Sequence, residues 1–154
     1  MALVKGTNSY VTVAEADTYF SETANKGEWS GSSAKEALLI TATQMIDDVA
    51  WTGVAVTEDQ LLGFPRVGEY FDPRLGLVVQ MGVAPARVLR ATFEQAYHLL
   101  LNESISNDTG SLLDVKVSTI EVKQLKDPPR IPSIVSKLLR PLIDNSSGIW
   151  WRAN

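Results

Sequence analysis

The chain has 154 residues, 45% of them apolar, no cysteine and a net charge of −4, which fits one domain with a hydrophobic core. The lack of cysteine excludes disulfides and thiolate metal sites, and no apolar run approaches the roughly 18 to 20 residues of a membrane span. The N-terminal residues lack the apolar core of a signal peptide, so we expect a soluble protein made in a cytoplasm.

Charge is unevenly distributed along the chain. Residues 1–110 carry seven Lys or Arg against fourteen Asp or Glu, whereas residues 111–154 carry seven against four. Because binding to nucleic acid depends on Lys and Arg that neutralise phosphates, the acidic first part argues against tight wrapping of DNA.

Two helices are predicted in the first 50 residues. Thr12 and Glu15 form a capping box, and apolar residues recur behind them at helical spacing, which predicts a helix over about 12–24. Ser33 and Glu36 have the spacing of a second capping box, which predicts a helix over about 33–50.

A third helix follows a long segment rich in glycine and proline. Residues 51–84 show no regular period but keep many apolar side chains, and we expect a loop held in place by those side chains. Pro85 suits the first turn of a helix that runs to about Asn102, with Arg87, Arg90, Glu94 and His98 on its polar side.

The C-terminal third predicts a β element and a fourth helix. Residues 113–125 alternate in part, which predicts a short hairpin or an extended arm, and residues 132–142 form a helix that Pro141 kinks or ends. The predicted fold is therefore mainly α: one four-helix domain over 1–142 with a small β element, and a C-terminal docking tail over 143–154.

The tail carries two adjacent tryptophans close to the end of the sequence. Burial of a large aromatic side chain is worth roughly 2 to 3 kcal/mol, and Trp and Arg are enriched where binding energy concentrates at interfaces. Two interpretations stay open: the tail covers a gap in the domain's own core, or it docks into a partner. The predicted docking residues are Ile149, Trp150, Trp151 and Arg152.

Signatures of catalysis and of metal binding are missing from the sequence. His98 is the sole histidine and is expected to be solvated, and Asp47 and Asp48 diverge on their helix, which favours solvation over a shared metal ion. Phosphate loops, nucleophile elbows and His-Glu metal motifs are also missing. We therefore expect a binding protein rather than an enzyme, with no cofactor and no metal.

The basic C-terminal third leaves binding of single-stranded nucleic acid open as an alternative. Cationic grooves beside stacking rings hold single strands without sequence preference. The candidate cations are Lys116, Lys123, Lys126, Arg130, Lys137 and Arg140.

Several segments together resemble a family of small bacteriophage proteins, the DnaT-like single-stranded-DNA-binding family, whose members occur among head-to-tail connector components. The matching segments are Asn8–Phe20, Ala37–Thr43, Trp51–Gly53, Phe64–Gly68 and Val83–Val88, leading into Ala91. The chain departs from the family pattern at Phe64, where a tryptophan usually precedes Pro-Arg.

The resemblance implies a head-to-tail connector of the virion neck, a dodecameric homo-oligomeric ring beneath the portal that extends the DNA channel and offers a platform for tail or neck proteins. DNA would then pass through the acidic channel without sequence-specific binding. The tail residues 149–152 would bind the portal, and the predicted contacts between subunits are Val115, Val117, Ile120, Val122 and Arg66. For Arg66 we favour hydrogen bonds to loop carbonyls over a contact to a neighbour. The DnaT-like label instead implies a replication protein that binds single-stranded DNA.

Overall fold

A computed structural model describes residues 2–24, 27–102 and 129–144. These residues form five α-helices, which are α1 (Val13–Ser21), α2 (Gly27–Gly31), α3 (Lys35–Asp47), α4 (Ala86–Leu101) and α5 (Ser133–Leu139), and a 3-10 turn at Arg140–Leu142 follows α5. They also form four strands, which are β1 (Val54–Ala55), β2 (Arg66–Val67), β3 (Glu69–Asp72) and β4 (Leu77–Gln80). None of the helices described is long and apolar enough to cross a membrane.

The prediction of a mainly α, four-helix domain is wrong, because the fold is mixed α/β. Two small antiparallel sheets, β1–β2 and β3–β4, occupy the segment 51–84 that we predicted as a loop. Strands of two to four residues are too short to show a regular alternation, and the outer faces of these strands carry apolar residues such as Phe71 and Val78. The β element predicted over 113–125 and the tail from residue 145 lie outside the described residues.

Helix ends follow the sequence in one case and depart from it in another. Thr12 caps α1, and both bonds of its capping box with Glu15 are present, as predicted. For α3 the prediction is wrong: Ala34 occupies the cap position without a side-chain hydrogen bond, and the helix starts at Lys35. Ser33 therefore lies one residue too early to serve as the cap.

The core is built around α4, which packs mainly against α3 and α5. Nine of its sixteen residues are buried, including Phe93, Ala96 and Leu99. From α5 and the following turn, Val135, Leu139 and Leu142 are buried, and Pro141 lies within the 3-10 turn that ends the helix. Burial around most of its circumference makes α4 the element against which the others are positioned.

An aromatic cluster seals α1 and α2 onto α4. The Trp29 ring of α2 is 1% exposed and lies 4.6 Å from the Phe20 ring of α1. The Tyr19 and Phe93 rings stack at 4.8 Å, and the Tyr19 hydroxyl donates to Glu94 at 2.6 Å. Glu94 is thus buried, whereas we predicted it on the polar side of the helix.

The loop between β1 and β2 is held to the end of α3 by Asp47. Its carboxylate accepts hydrogen bonds from the Tyr10 hydroxyl and from the backbone N–H of Gly63, the latter at 2.9 Å. Burial and the neighbouring Asp47 carboxylate raise the pKa of Tyr10. The Phe64 ring packs edge-on against the rings of Tyr10 and Trp51, at 6.1 and 5.1 Å between centroids. Tyr10, Trp51 and Phe64 each belong to a different segment of the family resemblance, so three of those segments contact one another here.

The C-terminal end of the described chain is also tied to this loop. Ile143 forms an antiparallel bridge with Trp51, and the backbone N–H of Asp144 donates to the Ala50 carbonyl at 2.8 Å. Residues 143 and 144, which we assigned to the tail, are therefore hydrogen-bonded to the domain.

We expect Asp47→Ala to lower the free energy of unfolding by about 3 kcal/mol, because the Tyr10 hydroxyl and the Gly63 N–H lose a charged acceptor. Urea denaturation followed by circular dichroism measures the change. Asp48→Ala is the matched control: its side chain is exposed and lies 3.9 Å from Arg130, so a loss under about 0.5 kcal/mol is expected. Equal losses in the two variants would contradict this role of Asp47.

Candidate functional site

A groove of about 490 Å³ lies between the β3–β4 hairpin and the first turns of α4, with Leu138 of α5 also lining it. Its charged residues are Arg74, Arg87, Arg90 and Asp72, so we call it the arginine groove. Its apolar lining comes from both walls and from α5, and includes Leu75, Val79, Met81, Val83, Pro85 and Leu138.

The hairpin wall of the groove follows from the alternation of β3. Tyr70 and Asp72 are buried while Glu69 and Phe71 are exposed, so the two buried side chains share the inner face. The turn is set by Asp72, which accepts from the N–H of Arg74 at 2.9 Å through its carboxylate and from the N–H of Gly76 at 2.8 Å through its carbonyl. This turn places Arg74 at the edge of the groove.

The opposite wall is the N-terminal part of α4. Pro85 is extended and precedes the helix, and no side chain caps the first turn. Arg87 and Arg90 are three residues apart and therefore lie on the same face of the helix. The partial positive charge of a helix N-terminus adds to that of the two guanidinium groups.

The groove is electropositive because its described lining holds three arginines and one carboxylate, and that carboxylate is bonded to an arginine. Asp72 is 2% exposed and accepts from Arg87 Nη2 at 2.8 Å. The Arg87 guanidinium holds the pKa of Asp72 below its ordinary value, so Asp72 stays ionised and fixes Arg87 in the wall. Arg74 and Arg90 are exposed at the groove, and the Arg90 guanidinium also lies beside the Tyr19 hydroxyl that donates to Glu94.

A second cavity of about 500 Å³ has a different character. It is lined by Trp29, Asp17 and Lys35 among others, and Asp17 accepts from the Trp29 indole N–H and from the Lys35 ammonium, both at 2.8 Å. Among its described lining residues, the one cation, Lys35, is paired with the one carboxylate, Asp17. Over residues 2–24, 27–102 and 129–144, no group of three or more His, Asp or Glu could hold a metal ion.

Arg66 is bound within the loop, as we favoured. Its guanidinium donates to the carbonyls of Thr52 at 2.9 Å, Gly63 at 3.1 Å and Gly53 at 2.6 Å, with a longer bond to Trp51 at 3.4 Å. The contact between subunits that we also predicted for Arg66 stays a prediction. The other predicted contacts, at Val115, Val117, Ile120 and Val122, and the docking residues Ile149, Trp150, Trp151 and Arg152 lie outside the described residues.

Two polar residues that we predicted to be solvated have structural contacts instead. Asp47 binds Tyr10 and Gly63, and the His98 Nε2 lies 2.8 Å from the Pro129 carbonyl, next to the start of α5. Both lie at positions where a helix face meets a loop that the sequence did not predict to pack there.

The arginine groove was not predicted, although its residues are visible in the sequence. The sequence predicts Arg87 and Arg90 on the polar side of α4, but it does not predict the hairpin that completes the site. The signal is Asp72-Pro73-Arg74-Leu75-Gly76, which has Asp before Pro and a glycine three residues after that proline, a composition typical of a turn between two strands.

Residues 2–153 match the model of the family described as "Putative DnaT-like ssDNA binding protein". The chain belongs to this DnaT-like family. No curated protein and no solved structure matches it. The family resemblance noted in the sequence is thereby confirmed.

The prediction of a head-to-tail connector is wrong, because the family that matches nearly the whole chain is described by binding of single-stranded DNA. The predictions of its partners are wrong for the same reason: the portal, the tail or neck proteins, the homo-oligomeric ring, and genomic DNA that passes through a channel without sequence-specific binding. The acidic average charge of residues 1–110 favoured the connector over DNA binding, but that average does not describe every part of their surface. The arginine groove lies within this acidic stretch.

Asp72→Asn is expected to lower stability at neutral pH, because Arg87 loses its charged partner. Since the folded-state pKa of Asp72 lies below the ordinary 3.8, this contribution is present above that pH and is lost as the pH falls through the folded-state pKa. Denaturation curves should therefore show a difference between wild type and variant that shrinks in acid. The exposed Asp59→Asn serves as control and should change little at any pH. A difference for Asp72→Asn that stays constant into acid would contradict the role of its charge.

Proposed function

We propose that this protein binds single-stranded DNA and that the arginine groove is the site of contact. The observation that carries the proposal is the juxtaposition of Arg74, Arg87 and Arg90 around one groove in a chain of the DnaT-like family. Neutralisation of phosphates by Lys and Arg, with release of counterions, supplies most of the affinity in such complexes.

The arrangement of the three arginines supports contact with a flexible backbone. Arg87 is fixed by its bond to Asp72, whereas Arg74 and Arg90 are exposed on opposite walls. Arginine is well suited to phosphate because its planar group donates two parallel hydrogen bonds. A strand that follows the groove would meet both walls.

The acidity of the chain does not oppose this proposal. Several carboxylates of the first 110 residues are already bonded within the domain, including those of Glu15, Asp17, Asp47, Asp72 and Glu94. The potential that a strand meets depends on the charges at the groove, where the described lining has three arginines and one carboxylate, that of Asp72, which is paired with Arg87. Of these arginines, Arg90 also lies beside the Tyr19–Glu94 pair.

Reversal of a groove charge should weaken binding. With a fluorescein-labelled oligothymidine of about 16 nucleotides, Arg74→Glu and Arg90→Glu are each expected to lower affinity about tenfold at low salt. Fluorescence anisotropy measures the affinity. Each variant should also flatten the dependence of log Kd on log salt by roughly one unit, since each removes one phosphate contact.

Lys5→Glu is the matched control, because it changes the net charge equally and lies outside the groove. Lys5 pairs with Glu15 on the exposed surface, so the fold should tolerate its loss. Equal losses for Lys5→Glu and the groove variants would remove the groove from the mechanism. No detectable binding of wild type to single-stranded DNA even at low salt would overturn the proposed function.

A further inference from the structure

The arginine groove has more apolar surface than a site for phosphate alone requires. Besides its arginines, the lining includes Val79, Met81 and Leu138, which are half-buried, and Leu75 and Val83, which are 51% and 82% exposed and form its rim. Exposed aliphatic side chains beside a cavity lose contact with water when a ligand enters, and this favours an apolar ligand.

The size of the groove also fits more than a phosphate group. Its volume of about 490 Å³ falls within the range of roughly 300 to 1,000 Å³ that is usual for sites of small organic ligands. A phosphate with its three contacts would occupy a small part of that space. The remainder could hold a planar ring system.

We propose that the arginine groove takes up one unpaired nucleobase, with the base against the apolar lining and the flanking phosphates on Arg74 and Arg90. This inference rests on the proposed function and goes further, because it assigns the base as well as the backbone to the site. Charge complementarity between the two exposed arginines and the strand selects a nucleic acid over an uncharged apolar ligand.

Such a site distinguishes single strands from duplexes. In a duplex, a base must be unpaired and unstacked before it can enter a pocket, at a cost in free energy, whereas a single strand presents bases already free of a partner. Arginine guanidinium planes also stack on bases, and Arg87, which Asp72 holds in place, lines the groove.

The decisive comparison is between oligothymidine and an abasic strand of the same length, which keeps the phosphates and lacks the bases. With the full chain at constant salt, anisotropy should give about tenfold weaker binding of the abasic strand, the effect of losing one well-stacked base. The dependence on salt should be the same for the two strands, since they carry the same charges.

A double variant tests whether the base lies in this groove. Leu75→Ser with Val83→Ser removes exposed apolar surface at the rim and should weaken oligothymidine binding several-fold while leaving abasic binding unchanged. Val56→Ser with Leu61→Ser is the matched control, since both residues are exposed, 51% and 71%, and lie outside the groove. Urea denaturation establishes that both double variants are folded.

The outcomes separate the inference from the function on which it rests. Equal affinity for the two strands would overturn the inference and leave binding of the backbone intact. Weaker abasic binding with no effect of the rim variant would also overturn it, because the base would then lie elsewhere. Failure of both strands to bind at low salt would overturn the proposed function itself.

Discussion

The bonds that Asp47 and Arg66 make to the backbone are the constraint on which the rest of the structure depends. Asp47 holds the N–H of Gly63, and Arg66 holds the carbonyls of Thr52, Gly53 and Gly63. Because β3 starts three residues after Arg66, the same bonds fix where the hairpin lies relative to α4. The groove between hairpin and helix therefore owes its shape to a loop with little regular secondary structure.

Local charge and total charge lead to opposite conclusions in this chain. The sum over residues 1–110 is strongly acidic, yet the described lining of the groove holds three arginines and one carboxylate, which is bonded to Arg87. Carboxylates elsewhere accept hydrogen bonds from tyrosine hydroxyls and backbone amides, as Asp47 and Glu94 do. A carboxylate with such partners is a structural acceptor more than a source of surface potential, so composition alone is a poor guide to what a surface attracts.

The sequence predicts the long helices well and the site poorly, for physical reasons. The capping box at Thr12 and the apolar stripe of α4 depend on neighbours within a few residues, and both are found in the structure. The sheets depend on pairing between residues far apart, such as Val54 with Val67, and their short strands leave no period to detect. The arginine groove is formed where the hairpin and α4 meet. The sequence therefore shows its arginines one by one, but it does not predict that they lie around one groove.

The position of Gly63, in the loop between β1 and β2, has room for glycine and for no larger residue. A Cβ at this position would lie 2.7 Å from Asp47 Oδ1 and 2.7 Å from Trp51 Nε1, so every larger residue would collide with the groups that hold the loop. An aspartate followed sixteen residues later by glycine, an aromatic residue, proline and arginine is thus a compact fingerprint of this architecture. Chains too divergent to align overall can be screened for that spacing alone.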